Sequence, residues 1–196
     1  MKTKVLLFVA TFAILATFSC KKEESKEITY GASISPVENV VNNLGTIYYF
    51  RDEPTTFGIK FKSSKDGRIT HLGIRSGSGT YTIALWDSSA QSVITATSIK
   101  VTDSTVFAYK DILDIDILAN KVYIISMGNQ ISEGGSGANA YKNLSVDYRF
   151  PFTQGDITLL SSCYKFTNNA LTLFPISTEA TGIIYGFADI KFEPKK

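Results

Sequence analysis

The chain has 196 residues, of which 20 are basic, 18 are acidic and 44% are hydrophobic. This length is enough for one domain with a sizeable core, and no basic run stands out that would bind nucleic acid. A single histidine and two cysteines exclude a conventional zinc cluster, and we predict no metal and no cofactor.

Residues 1–19 have the pattern of a secretory signal peptide. Lys2 and Lys4 precede an apolar-to-small run over residues 5–18, which is shorter than the roughly 20 residues of a relaxed transmembrane helix. A serine and Cys20 follow, and this arrangement resembles a bacterial lipoprotein signal, in which the cysteine is acylated and becomes the mature N-terminus. We therefore predict lipidation of Cys20 and attachment to a membrane by acyl chains. The alternative is a buried helix or a retained anchor.

Residues 20–27 are predicted to form a charged, solvated tether, because no apolar side chain follows Cys20 before Ile28. The lysines followed by acidic residues resemble the signal that directs lipoproteins of Bacteroidota to the outer face of the outer membrane. This resemblance implies an outer-membrane protein that is exposed at the cell surface. Lipidation of Cys20 would also leave Cys163 without an intrachain disulfide partner.

From Thr46 onward the apolar residues recur at every second position, which is typical of strands with one buried face. Ile69 is out of phase with Leu72 and Ile74, and this predicts either a β-bulge or a strand that starts later. Strands are predicted at 56–62, 68–75, 80–87, 92–101, 105–110, 111–118, 121–127 and 184–193, with a short helix at 37–44 and further short strands near 156–166 and 171–174. The spacing of strands and turns indicates a sandwich or a barrel, and we favour one antiparallel β-sandwich over residues 28–196, of jelly-roll or Greek-key type.

Four stretches resemble, in their order, the bacterial domain of unknown function 4082. They are Phe-Gly-Ile-Lys-Phe at 57–61, Asp-Gly-Arg-Ile-Thr at 66–70, the strand 79–87 that ends in Leu-Trp-Asp, and Ala-Asn-Lys-Val-Tyr-Ile-Ile-Ser at 119–126. The chain departs from this family at 103–109, where members usually carry a Gly-Trp pair. The resemblance implies a β-sandwich module of the kind often found on secreted and carbohydrate-related proteins, and it transfers no catalytic residue.

Aromatic and polar side chains are crowded into residues 141–152. Planar rings can stack on sugar faces while amide and charged groups bond hydroxyls, and loops at the end of a sandwich are common binding sites. The alternative is that these rings cap the core. The residues predicted to bind a ligand are Tyr141, Asn143, Tyr148, Arg149 and Phe150.

Other chemically interesting residues favour structural roles. His71 lies within a predicted strand, and no Gly-x-Ser-x-Gly motif supports a catalytic triad around it. Asp111, Asp114 and Asp116 could supply oxygen ligands for calcium, but Asp114 and Asp116 alternate with isoleucines, so they are expected to line the solvent face of a strand. Ser104 lies in an Asp-Ser-Thr turn that resembles the O-glycosylation sites of exported Bacteroidota proteins. Trp86 is expected to pack in the interior.

These features lead to a first hypothesis of a non-enzymatic surface lipoprotein that binds a carbohydrate or another extracellular ligand. The alternative is a structural or assembly protein of an outer-membrane complex, which an exposed apolar patch at Tyr185 and Phe187 would favour. An envelope hydrolase would need a pocket that converges on His71 or on two carboxylates. The expected partners are a membrane, through Cys20, and a glycan or an envelope protein.

Overall fold

The computed structural model describes residues 27–41, 48–50, 55–128, 139–144, 149–166, 174–176 and 178–196. These residues contain one short helix, α1 (Pro36–Val41), and the strands β1 (Tyr48–Phe50), β2 (Thr55–Ser63), β3 (Gly67–Arg75), β4 (Gly79–Asp87), β5 (Ser92–Val101), β6 (Ala108–Ile117), β7 (Val122–Gly128), β8 (Asn139–Asn143), β9 (Phe152–Gln154), β10 (Ile157–Phe166), β11 (Thr178–Ala180), β12 (Ile183–Tyr185) and β13 (Phe187–Pro194).

The described strands form one seven-stranded sheet, which we call the large sheet, and two three-stranded sheets, of which the one that contains β3 is called the small sheet. In the large sheet the order is β11-β10-β2-β7-β4-β5, and β9 also pairs with β10. The small sheet has the order β13-β3-β6, and the third has the order β1-β8-β12. Pairing among the described strands is antiparallel throughout. The chain passes between the large and small sheets from β2 to β3, from β3 to β4, from β5 to β6 and from β6 to β7. The predicted all-β sandwich is confirmed.

The core lies between the large and small sheets, where the period-two pattern brings the apolar side chains together. Ile59 and Phe61 of β2 and Leu72 and Ile74 of β3 are fully buried in the same cluster. Burial of each such side chain stabilises the fold by roughly 1.5–3 kcal/mol. The alternation read from the sequence therefore accounts for the sandwich.

The bulge predicted from Ile69 is present in β3, where Thr70 is the extra residue, because His71 pairs with Lys191 of β13 while Ile69 pairs with the next residue, Phe192. On the other side of β3 the extra residues lie in β6, where residues 112–114 lie opposite Thr70. This register shift lets β6 continue as one strand from Ala108 to Ile117. The prediction of two separate strands at 105–110 and 111–118 was therefore wrong.

The strand predicted from Ile184 to Glu193 is also corrected, because the chain turns at Gly186. This glycine has a φ of 60°, a conformation that other residues adopt at a cost, and the strands on either side of it belong to different sheets. Phe187 and Asp189, which the sequence suggested were solvent-facing, are both 0% exposed. Tyr185 and Phe187 therefore do not form the exposed apolar patch that was considered from the sequence.

The start of the described chain is attached to its last strand. Gly31 donates a backbone hydrogen bond to Pro194 (2.7 Å), and Ile34 and Phe192 exchange two such bonds (2.8 and 3.0 Å). Helix α1 follows immediately and packs beside β13. It begins within one residue of the predicted helix at 37–44, of which residues 42–44 lie outside the described part of the chain.

Candidate functional site

The outward side of the small sheet carries a concentration of charged and hydrogen-bonding side chains, which we call the polar face. Strand pairing arranges them in three rows that cross β13, β3 and β6. The rows are Asp189, Gly73 and Tyr109; Lys191, His71 and Asp111; and Glu193, Arg68 and Asp116. The opposite side of the same strands faces the core, so the alternation of the strands positions the polar face.

In the first row, a tyrosine hydroxyl lies between two carboxyl groups. The Tyr109 ring packs on the backbone of Gly73, where an added Cβ would overlap the ring. The Tyr109 hydroxyl lies 2.8 Å from Oδ2 of Asp189 and 2.9 Å from Oε2 of Glu38, at the start of α1. Burial, together with the charge of Asp189, raises the pKa of Tyr109 above its ordinary value, so the phenol stays protonated.

Asp189 is the buried member of this group, with 0% exposure. Its Oδ1 accepts hydrogen bonds from the backbone N–H groups of Val37 (3.1 Å) and Ile190 (2.8 Å), and its Oδ2 accepts one from Glu38 (2.8 Å). Burial raises the pKa of Asp189 to about 7, although these backbone donors act in the opposite direction. The carboxyl group thus connects the start of α1 to β13.

The number of protons in this group limits its charge state. A phenol has one proton, so the Tyr109 hydroxyl can donate to only one of the two carboxyl groups at a time. Both short contacts are satisfied when Asp189 is protonated and donates to Tyr109, which then donates to Glu38. A proton on Glu38 would satisfy the same two contacts in the reverse direction, so the chain of hydrogen bonds needs one proton on either carboxyl group, and the raised pKa of Asp189 favours that residue.

The second row places His71 between a hydroxyl group and a carboxylate. Its Nε2 lies 2.6 Å from Oδ1 of Asp111, and its Nδ1 lies 2.8 Å from the Thr70 hydroxyl. This order of groups resembles a catalytic triad, but the Asp111 side chain is 87% exposed, whereas the aspartate of a triad is buried and holds the imidazole in place. The geometry therefore suits surface hydrogen bonding. Beside it, Lys191 Nζ lies 4.6 Å from the centre of the Tyr109 ring.

In the third row, one guanidinium group joins three elements. Arg68 contacts Glu193 of β13 (2.8 Å) and Asp114 of the β6 bulge (2.6 Å), and it lies 4.0 Å from the centre of the Tyr30 ring. The hydrogen bond with Glu193 raises the pKa of Arg68. Arg68 thus fixes the positions of its acidic neighbours and keeps them at the surface.

The residues predicted to bind a ligand are not all within the described part of the chain. Tyr148 lies outside it, and Tyr141 and Asn143 belong to β8. Arg149 is exposed, but Phe150 is only 5% exposed, belongs to the core cluster and stacks on Phe152 with ring centres 5.1 Å apart. The Phe150 ring is therefore covered by the protein's own side chains, which agrees with the alternative hypothesis that these rings cap the core.

Of the other residues considered from the sequence, Cys20 is outside the described part of the chain. Ser104 is half-buried in the turn between β5 and β6, where its backbone oxygen accepts a hydrogen bond from Arg75 (2.9 Å). Cys163 is fully buried, and burial raises the pKa of its thiol to about 12. Trp86 is 4% exposed and donates its indole N–H to the Ser126 hydroxyl (2.7 Å), so its predicted packing role is confirmed.

Two of the three aspartates considered for calcium have other partners. Asp111 pairs with His71 and Asp114 pairs with Arg68. In the part of the chain that the structure describes, no three histidine, cysteine, aspartate or glutamate side chains converge on a metal position. No helix among the described residues is long and apolar enough to cross a membrane.

Sequence reasoning missed Glu38, Tyr109 and Asp189. The sequence pattern assigned Asp189 to a wet face, together with Lys191 and Glu193, because it alternates with apolar residues. A signal was nevertheless present, since Asp189 is flanked by apolar residues in a nearly uncharged run. Its partners Val37 and Tyr109 are 152 and 80 residues away along the chain.

No protein-family model matches this chain, and no curated protein is significantly similar to it in sequence. The resemblance to the bacterial domain of unknown function therefore stays a prediction, and functional arguments for this chain depend on its own residues.

Proposed function

We propose that this protein is a lipid-anchored, non-enzymatic protein of the bacterial outer membrane, exposed at the cell surface, whose β-sandwich binds a carbohydrate on the polar face. The supporting observation is the polar face itself, where acidic, basic and aromatic groups alternate over three strands. The lipid anchor is supported by the sequence pattern around Cys20.

The chemistry of the polar face suits a ligand rich in hydroxyl groups. Each sugar hydroxyl both donates and accepts hydrogen bonds, so it binds where hydrogen-bond acceptors and donors lie close together. Asp111 and His71 supply such a pair at 2.6 Å, and Lys191 lies in the same row. The stacked rings of Phe107 and Tyr109, with centres 6.0 Å apart, add half-buried apolar surface next to these groups.

Glycan binding is tested with the soluble chain from residue 28 onward, on a glycan array and in polysaccharide pull-downs. We expect the double variant His71→Gln, Asp111→Asn to lose binding, because it removes the imidazole and the carboxylate from this row of the sheet. Lys100→Gln is the matched control, since it changes an exposed charge on β5 of the large sheet. If the double variant still binds glycans, the polar face is not the binding site.

A further variant, Arg149→Ala, tests the stretch that the sequence first suggested. Loss of binding in this variant, with the double variant unaffected, would move the site to residues 141–150. If the unaltered chain binds none of the glycans or polysaccharides tested, the carbohydrate proposal is rejected.

The proposed anchor has its own test. In a bacterial host grown with an alkyne-labelled fatty acid, the full chain should become labelled, and Cys20→Ala should abolish labelling because it removes the acylated thiol. Protease treatment of intact cells then tests surface exposure. Label that persists in Cys20→Ala contradicts acylation at this residue.

The proposed O-glycan on Ser104 is tested by intact mass. The Asp103 carboxylate accepts hydrogen bonds from the backbone and the hydroxyl of Thr105 (2.8 and 2.6 Å), so the turn is defined, with Asp103 and Thr105 exposed. Protein purified from a Bacteroidota host should have a mass above that of the acylated chain, and Ser104→Ala should remove the excess. An unshifted mass excludes the modification.

A second candidate function is a structural or assembly role in an outer-membrane complex. The observation in its favour is that the edge strands β5 and β6 carry exposed apolar side chains, with Val93, Ile94 and Leu113 exposed by 42%, 37% and 87%. Unpaired strand edges of this kind accept strands from other proteins. Crosslinking on intact cells, with Ile94→Lys and Leu113→Lys as variants, should then yield a specific adduct that the variants lose.

A further inference from the structure

One end of the sandwich combines the start of the described chain with several turns that are hydrogen-bonded to one another. We call it the tether end, and it comprises residues 27–30, 63–67, 118–121, 155–156 and 195–196. Asn120 donates to the Ser63 carbonyl (2.7 Å) and Ser64 donates to that of Asp156 (2.8 Å). Asp66 accepts from Ala119 through its side chain (2.7 Å). The tether end is therefore a well-connected surface rather than a set of independent loops.

Two exposed aliphatic side chains lie at this surface. Ile28 is 53% exposed and Leu118 is 54% exposed, and both line a cavity of about 180 Å³ whose wall also includes Tyr30 and Gly67. The two residues come from distant parts of the chain, and the fold brings them together at this cavity. They form a small apolar area at the tether end.

The length of the preceding chain restricts what this area can face. From Cys20 to Glu27 there are only seven residue steps, which extend to at most about 25 Å. If acyl chains hold Cys20 in a membrane, the tether end is the part of the sandwich nearest to that membrane. Other surfaces of the domain are farther away by up to the length of a strand.

The tether end carries charges of both signs, and the exposed side chains of Asp66, Asp116 and Lys195 line the same cavity as Ile28 and Leu118. The carboxylate of Asp156 pairs with Lys65 (3.4 Å) and that of Asp87, on the adjacent turn, with Lys121 (2.6 Å). The hydrogen bond from Lys121 is the main reason that the pKa of Asp87 lies below its ordinary value. Lys195 and Lys196 are exposed at the same end and offer positive charge to phosphate groups.

We propose that the tether end rests on the surface of the membrane that holds the protein, with Ile28 and Leu118 inserted between lipid headgroups. This inference rests on the proposed lipid anchor and adds an orientation to it. The sandwich then stands on the membrane with the turn between β5 and β6 pointing away from it. Two aliphatic side chains give only weak affinity by themselves, but the anchor keeps them beside the bilayer at high effective concentration.

The test uses the full acylated chain in vesicles of phosphatidylethanolamine and phosphatidylglycerol that contain a lipid with a nitroxide on its headgroup. A fluorophore is attached to Lys65→Cys at the tether end or to Thr105→Cys at the far end, both exposed positions. Cys163 is buried and does not compete for the label. We expect severalfold stronger quenching at residue 65 than at residue 105.

The contribution of the two aliphatic residues is tested in the chain labelled at residue 65. The double variant Ile28→Ser, Leu118→Ser should reduce quenching to the level seen at residue 105. Val106→Ser is the matched control, because Val106 is exposed by 55%, about as much as Leu118, but lies at the far end. This variant should leave quenching unchanged.

The outcomes separate the orientation from the anchor. A chain that floats with the vesicles but is quenched equally at both positions, or unchanged by the double serine variant, overturns the proposed contact and leaves the anchor intact. A chain that does not float with the vesicles overturns the anchor and the contact together.

Discussion

The buried carboxyl group of Asp189 should make the stability of the sandwich depend on pH in an unusual direction. Burial raises its pKa in the folded state to about 7, above its ordinary value of 3.8. The folded state therefore binds this proton more tightly than the unfolded state does. The resulting stabilisation is complete below about pH 4 and is lost as the pH rises through 7.

The size of the effect follows from the two pKa values. Each tenfold difference in proton affinity corresponds to roughly 1.4 kcal/mol, so Asp189 contributes up to about 4 kcal/mol of pH-dependent stability. In Asp189→Asn the amide cannot ionise, and it can replace the protonated carboxyl as donor to Tyr109. Its N–H₂ group meets the backbone N–H of Glu38, which costs about 1 kcal/mol at every pH.

The assay is urea unfolding at several pH values between 4 and 8, followed through the fluorescence of Trp86, the single tryptophan. We expect the free energy of unfolding of the wild type, minus that of Asp189→Asn, to fall steadily as the pH rises. The control is Asp116→Asn, which makes the same chemical change at an exposed carboxyl group on β6 of the same sheet. A wild-type-minus-variant difference that stays constant from pH 4 to 8 would refute the reasoning.

Three further predictions concern packing. Gly186→Ala should cost roughly 2–4 kcal/mol of unfolding free energy, because φ is 60° and the new methyl group would meet side chains of β2 and β7, whereas Gly182→Ala, with nothing within 4 Å, should be close to neutral. Ser126→Ala should cost about 1–3 kcal/mol in the same urea assay, because it leaves the buried indole N–H of Trp86 without its acceptor. Cys163 should react with a thiol reagent only after unfolding, since it is 0% exposed and its pKa is raised to about 12; rapid reaction of the folded chain at pH 8 would contradict its burial.

Sequence reasoning was most successful where the signal is local. The alternation at Phe57, Ile59 and Phe61 reports which side of β2 is buried, and this depends only on the geometry of an extended chain. The phase change after Ile69 reported the bulge for the same reason. The all-β sandwich and most strand positions could therefore be predicted without knowledge of which strands are neighbours.

The errors occurred where a local pattern has two possible continuations. The run from Ile184 to Glu193 alternates well enough for one strand, and only the packing around Gly186 decides that its two halves join different sheets. The aromatic-rich sequence around Phe150 is compatible with a ring that faces a ligand and with a ring that faces the core. Burial against Phe152 decides between these, because it depends on where the neighbouring strands lie.

By itself, the sequence determined the all-β sandwich, because period-two alternation is a property of neighbouring residues. The signal peptide and the charged tether stay predictions from the same local patterns of hydropathy and charge. Only the tertiary structure decided which polar residues come together. Glu38, Tyr109 and Asp189 are far apart along the chain, as are Ile28 and Leu118 at the tether end. Such groups are assembled by strand pairing and sheet packing, whose energies come from contacts between distant segments and leave no periodic trace in the sequence.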